Sequence, residues 1–314
     1  PQHIEIFEAL GFKPTKYIHT PVLCKIGENG NKRKISKSKD PEADMRFYIQ
    51  TGLPKEAVTE YLLNLMNSNF EIWREQNPDK SNLEFPFSTQ KIGTSSPFFD
   101  MVKLEDVSKN IISKMTAEEV YDNFVAWLND LDLGFIEDKK ELLNININFD
   151  LEEFKKYVKD NKQYIIDVLS IDRYTPKPRK DIAKFSEIPV YYDYMFGLFN
   201  PKTIKDYELD GIKADTGVMT AFLKDYMLVY DDKDEKDVWF NKIKEVAQRH
   251  NFATDNKLYK QNPAAYVGNT ADACAIIRIA VTGRKNSPDL YSIAKVLKKD
   301  AVLQKINQFI GFLG

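Results

Sequence analysis

Two short stretches concentrate the residues able to do chemistry. The first is Lys32-Arg33-Lys34-Ile35-Ser36-Lys37-Ser38-Lys39, just after the turn-forming run Glu28-Asn29-Gly30-Asn31. Within it Lys34, Ser36, Lys37 and Ser38 alternate cation and hydroxyl along a segment too polar to bury itself. Lysine carries a compact charge on a flexible stem, and hydroxyls and backbone N–H groups add hydrogen bonds to phosphate oxygens. Such a loop suits a triphosphate and can stabilise charge developing on a pyrophosphate leaving group. A solvated Lys-rich turn fits the same residues, and the motif alone does not separate the two. The second stretch runs from Arg278 to Leu290. Gly283 is placed to end a helix in the left-handed conformation. Ser287-Pro288 reads as N-cap and first position of the next helix. A helix N-terminus set among Arg278, Arg284 and Lys285 suits phosphates or unstacked bases. An ordinary helix connector with solvated arginines fits equally.

The elements around these stretches must be mostly helical. Ile4, Phe7 and Leu10 form a short apolar stripe ending at Gly11. Residues 17–26 read as a strand leading into the turn and the basic loop. Asp40-Pro41-Glu42 offers an N-cap with Pro at the first helical position. Between Pro54 and Met66, residues Ala57, Val58, Tyr61, Leu62 and Leu65 share one helical face. Residues 67–97 are rich in Asn, Ser and Pro and read as an elaborated loop, with a strand at 83–87. Leu104, Val107, Ile111 and Met115 continue the helical period, and Thr116-Ala117-Glu118-Glu119 is a capping box opening a helix to about Leu131. Residues 144–149 read as a strand. Further helices fall near 150–170, 215–230, 236–250, 271–281, 288–299 and 300–312.

Composition narrows the class. The 314 residues, 43% apolar and 12% aromatic, suffice for two domains with separate cores. No run of eighteen apolar residues points to a membrane span, and no secretory leader is visible, so a cytoplasmic protein is expected. Cys24 and Cys274 lie far apart and neither has a Cys or His neighbour at metal-ligand spacing, so no metal site is expected. The net charge is −2, but its distribution is uneven. Residues 25–39 carry six basic groups against Glu28, and residues 278–299 carry six against Asp289. Arg173, Lys177, Arg179, Lys180 and Lys184 make a third basic block, while Asp231, Asp232, Asp234, Glu235 and Asp237 make an acidic one. Segregated charge of this kind can give one basic face.

Several pieces, in order, resemble the C-terminal half of a bacterial-type glutamyl-tRNA synthetase. Lys34-Ile35-Ser36-Lys37-Ser38 resembles the K-M-S-K-S loop of class I aminoacyl-tRNA synthetases, with Ile for Met. It follows Ala9-Leu10-Gly11 through Pro14 and His19-Thr20-Pro21-Val22-Leu23, and precedes Leu53-Pro54 with Leu62-Leu63-Asn64-Leu65. Ser96-Pro97-Phe98-Phe99-Asp100 with Lys103-Leu104 looks like the family's S-P-A-x-F-D-x-x-K-L segment. Arg278 through Leu290 looks like its R-x-A-x-T-G-R-x-x-S-P-x-L segment. The match is poor over 67–95 and 130–215.

The resemblance implies a mainly α protein: tandem helical bundles, one contacting the tRNA stem and one the anticodon, after a small mixed α/β remnant. The implied boundaries are 1–50 for the end of a catalytic domain, 51–200 for the stem-contact domain and 201–314 for the anticodon-binding domain. It implies that Lys37, supported by Lys34, Ser36 and Ser38, binds ATP phosphates during glutamate activation, with Mg2+ accompanying the ATP. It implies anticodon contacts at Arg278, Ser287, Pro288 and Leu290; Arg284 is added on its placement alone. The partners implied are tRNA-Glu, L-glutamate and ATP, with tRNA-Gln left open. The family's H-I-G-H signature is absent, since none of His3, His19 and His250 has that context. The chain, which opens on Pro1, therefore reads as a piece of a glutamate–tRNA ligase without a complete catalytic set, not expected to aminoacylate alone. A stand-alone helical RNA-binding module derived from a synthetase, and an unrelated nucleotide-using enzyme, are the alternatives.

Overall fold

The computed structural model describes residues 2–27, 29–139, 143, 145, 147 and 149–314. It is mainly helical and divides into two compact units, Pro1–Ile49 with Leu53–Ser108, and Gln50–Gly52 with Lys109–Gly314.

The first unit begins with α1 (Gln2–Ala9), none of whose residues is buried. Gly11, at φ 73°, follows it. The strand expected over 17–26 is confined to β1 (Cys24–Ile26), which pairs antiparallel with β2 (Lys32–Lys34). Pro21 has no N–H to give a ladder, and the hairpin runs out of partner residues beyond the Cys24–Lys34 pair. Three helices follow, α2 (Met45–Thr51), α3 (Lys55–Met66) and α4 (Phe70–Gln76), and α5 (Met101–Lys114) starts within this unit. Ala57, Val58 and Tyr61 are the buried face of α3. The Tyr61 ring stands edge-on to Phe99 at 5.4 Å, and its hydroxyl accepts from the Asp100 N–H at 2.6 Å. The strand expected at 83–87 is instead a 3-10 turn over Asn82–Glu84. Ser81 and Glu84 form a capping box there, satisfying N–H groups that a strand would have left to a partner.

The second unit holds one continuous apolar core. Its first helix, α6 (Ala117–Asn129), opens with the expected capping box: Thr116 Oγ1 accepts from Glu119 N–H and Glu119 Oε2 from Thr116 N–H. Then come α7 (Leu133–Asp138), α8 (Leu151–Asp160) and α9 (Lys162–Ser170), the last two parted at Asn161. Residues 144, 146 and 148 of the strand expected at 144–149 lie outside the described residues. Two short helices, α10 (Ile188–Tyr191) and α11 (Asp193–Phe196), lead to α12 (Thr216–Val229) and α13 (Lys236–Arg249). A two-residue parallel pairing of β3 (Phe252–Ala253) with β4 (Gly268–Asn269) flanks α14 (Asn256–Gln261). The unit closes with α15 (Thr270–Thr282) and α16 (Leu290–Leu313). α16 is two helices joined at Lys298, whose φ of 67° and ψ of 166° break the spiral, close to the break expected between 299 and 300.

Phe124, Ile165, Phe222, Ile243, Ile276 and Val302 are fully or almost fully buried in this core. Each contributes about 1.5–3 kcal/mol relative to an exposed side chain. Cys274 is half-buried and apolar surroundings push its thiol up to about 11, so it behaves as a small core residue.

Candidate phosphate loop and nucleic-acid interface

The basic loop is held at its two ends. Gly27 N–H donates to Asn31 O at 2.8 Å to close the hairpin turn, and Ile35 N–H donates to Leu23 O at 3.0 Å beyond the last strand pair. From Ser36 the chain turns sharply: Asp40 N–H donates back to Ser36 O at 2.8 Å. Asp40 itself is only 3% exposed. Its carboxylate receives Arg33 through two parallel bonds of 2.6 and 2.7 Å and the Ser36 N–H at 2.8 Å. The Arg33 guanidinium holds the carboxyl at about 2, below its ordinary 3.8, against the opposing cost of burial. Lys25 adds a longer ion pair at 3.7 Å and a short one to Glu42.

This corrects the reading of Asp40 as a helix cap. The 3-10 turn Pro41–Ala43 does follow, with Pro at its start, but the Asp40 side chain makes no capping bond. It reaches backward to the loop because Arg33 and the Ser36 N–H offer stronger, charge-assisted partners. A cation and an anion flanking the five-residue motif, Arg33 before it and Asp40 after it, were the signal in the sequence.

Of the four loop residues singled out by sequence, the structure brings two into contact. Ser36 and Ser38 hydroxyls lie 3.0 Å apart. Lys34 and Lys37 are exposed, and their ammonium groups make no hydrogen bond or ion pair among the described residues. Two solvated ammonium groups on the same short segment as paired hydroxyls suit a polyphosphate. Among the described residues no group of three or more His, Cys, Asp or Glu side chains is gathered as a metal site. The hairpin also meets the other family-like segment. Cys24 N–H donates to Pro97 O at 3.0 Å, and Phe99 N–H donates to Cys24 O at 2.8 Å. Lys32 bonds Ser96 O and lies 4.6 Å above the Phe98 ring.

The stretch from Arg278 to Leu290 is built differently. Gly283 caps α15 at φ 76°, its N–H donating to Ile279 O at 2.8 Å. A Cβ there would lie 2.4 Å from Phe199 Cζ, so both backbone and space require glycine. The cap of α16 is Asp289, not Ser287 as expected. The Asp289 carboxylate accepts from the Ser292 N–H at 2.9 Å and the Ser292 hydroxyl at 2.8 Å, while Lys236 pairs with it at 2.8 Å. Ser287 is engaged elsewhere, because Arg278 Nη1 donates to its hydroxyl and carbonyl and, at 2.8 Å, to Pro288 O.

Arg284 is occupied as well. Its Nη1 donates to Tyr191 O, and its Nη2 to Val190 O and Asp193 Oδ2, all at 2.8 Å. Pro288 and Leu290 are buried. Arg278 is half-buried and keeps Nε and Nη2 free of hydrogen bonds among the described residues. The third basic block is partly structural too. Arg173 donates to Leu169, Ile112 and Met115 carbonyls at 2.7–3.0 Å, satisfying the C-terminal ends of two helices.

Residues 269–310, which hold α15, the connector and most of α16, match the family described as anticodon binding domain. Over nearly its whole length the chain is similar to glutamate–tRNA ligases. It is 39% identical to that of Acetivibrio thermocellus, over 99% of this chain and 52% of that protein. It is 38% identical to that of Clostridium perfringens (strain SM101), again over 99% of this chain and 52% of that protein. The chain belongs to the glutamate–tRNA ligase family and spans about half the length of the curated relatives it matches. A crystal structure of a glutamate tRNA ligase from Elizabethkingia meningosepticum, in complex with its amino acid, shares the fold. The TM-score is 0.60 at 13% identity, covering 100% of this chain and 55% of that one.

Proposed function

We propose that this chain is the tRNA-binding portion of a glutamate–tRNA ligase and that the whole enzyme attaches glutamate to tRNA-Glu through a glutamyl-adenylate. The observation that carries the reading is 39% identity to a named glutamate–tRNA ligase across 99% of the chain. The ammonium groups of Lys34 and Lys37, unbonded among the described residues and carried on the same segment as the Ser36 and Ser38 hydroxyls, support a role in holding ATP phosphates. ATP would arrive with Mg2+, and L-glutamate would be the amino acid. Residues 1–50 then end a catalytic domain, 51–200 contact the tRNA stem and 201–314 bind the anticodon. Whether tRNA-Gln is also accepted turns on anticodon geometry.

Within the anticodon region the roles divide. Arg278 retains free donors and is assigned to a base or phosphate. Ser287, Pro288 and Leu290 shape the surface from a packed position. Arg284, whose Nη1 and Nη2 are committed to α10 and α11, holds the connector in place. The protein is assigned to the cytoplasm, where charging of tRNA takes place; among the described residues no helix is long and apolar enough to cross a membrane.

Filter binding of the chain to tRNA-Glu and to a tRNA of unrelated anticodon tests the reading. The expected result is tighter binding of tRNA-Glu, falling steeply as salt rises because phosphate contacts release counterions. Equal affinity for both tRNAs would overturn it.

A further inference from the structure

We infer that Arg33 and Asp40 are positioning residues for the phosphate loop: their ion pair clamps the two ends of the segment 34–39 so that Lys34 and Lys37 are presented together. This inference rests on the ATP-binding role proposed for those lysines. Three observations carry it. The pair brackets the motif, one member immediately before Lys34 and the other immediately after Lys39. It is bidentate and its carboxylate is buried, a planar geometry that only arginine supplies and that fixes orientation as well as distance. The same carboxylate also holds the Ser36 N–H at 2.8 Å, inside the loop, so one group organises its start, middle and end.

The neighbouring cations show a division of labour. Arg33, Lys25 and Lys32 are bound to protein groups. Lys34 and Lys37 carry no such bond among the described residues. Free lysines on a slack loop would sample many positions. Lysines on a loop with clamped ends lose less freedom when a phosphate arrives, which is the general basis of preorganisation.

ATP–pyrophosphate exchange with the full-length protein tests the clamp. Asp40→Asn is expected to lower kcat about 10²-fold, the scale of a misplacement of about 1 Å, with tRNA-Glu affinity unchanged. Arg33→Lys keeps the charge and loses the fork, so it should show the same loss even if Asp40→Asn fails to fold. The exchanged pair Arg33→Asp with Asp40→Arg should recover at least tenfold of the activity lost in Arg33→Asp alone. Full exchange activity in Arg33→Lys, or no recovery in the exchanged pair, overturns the clamp. Lys37→Ala separates the two levels. If it abolishes exchange while the clamp variants do not, the ATP reading stands and the clamp falls. If it leaves exchange intact, the ATP reading falls and takes the clamp with it.

Discussion

The basic loop at 32–39 and the connector at 278–290 carry similar charge in the sequence and treat it in opposite ways. In the loop Lys32 and Arg33 are tied down while Lys34 and Lys37 are left in solvent. In the connector both arginines donate to the protein's own carbonyls: Arg278 to Ser287 and Pro288, Arg284 to Val190 and Tyr191. Positive residues in a chain are therefore not the same as positive charge available to a ligand. Arginine, with five donors in a fixed fork, is suited to bracing backbone ends, while lysine on its flexible stem is suited to staying free.

The sharpest way to break this contrast is at the rigid region. Gly283→Val places a Cβ against the Phe199 ring in a left-handed backbone. It should destabilise the helical unit by about 2–4 kcal/mol, adding the strain of the conformation to overpacking. Urea unfolding followed by circular dichroism reads this; an unchanged midpoint would mean the connector is as yielding as the loop.

Next in size, Arg278→Ala removes the donor that secures Ser287 and Pro288. It should weaken tRNA-Glu binding by about 1–3 kcal/mol, and binding of a tRNA with an unrelated anticodon by clearly less. Equal losses on the two tRNAs would reduce Arg278 to a phosphate contact and bring it closer in character to the loop lysines.

Acid sharpens the comparison from the loop side. The Asp40 carboxyl sits at about 2 when folded against an ordinary 3.8. A lowered folded value means its stabilising contribution is complete above the unfolded value and is lost as pH falls from 3.8 towards 2. The basic hairpin should loosen across that window, visible as faster amide exchange at Ser36. Asp40→Asn should exchange fast already at neutral pH and lose the acid dependence.

The smallest effect is expected for Tyr194→Phe. The Tyr194 hydroxyl is buried beneath Arg284 and has no hydrogen-bond partner among the described residues. Removing an unsatisfied hydroxyl should leave stability unchanged or raise it by about 1 kcal/mol. A loss above 1 kcal/mol in thermal unfolding would reveal a partner for that group.

Local signals were readable from residue order. The Thr116 capping box, the Gly283 helix end, the buried face of α3 and the break near Lys298 all appear where the sequence places them. Each depends on atoms within a few residues of one another, so spacing suffices. Ambiguity began where two local uses competed for one side chain. Asp40 could cap a helix or pair with Arg33, and the ion pair with its buried carboxylate won. Ser287 and Asp289 could each cap α16, and Asp289 does so because Ser287 is engaged by Arg278. The strand at 83–87 failed because Ser81 and Glu84 satisfied that backbone locally.

By itself the sequence determined that this protein is mainly helical, where the longer helices fall, and, through ordered motifs, its kinship with glutamate–tRNA ligases. Only the tertiary structure decided which charges remain free. Arg284 meets Val190 and Asp193, and Cys24 meets Pro97, across long spans of chain. Whether a cation is bound or solvated depends on which distant carbonyl or carboxylate the fold brings within about 3 Å, and no spacing along the chain encodes that directly.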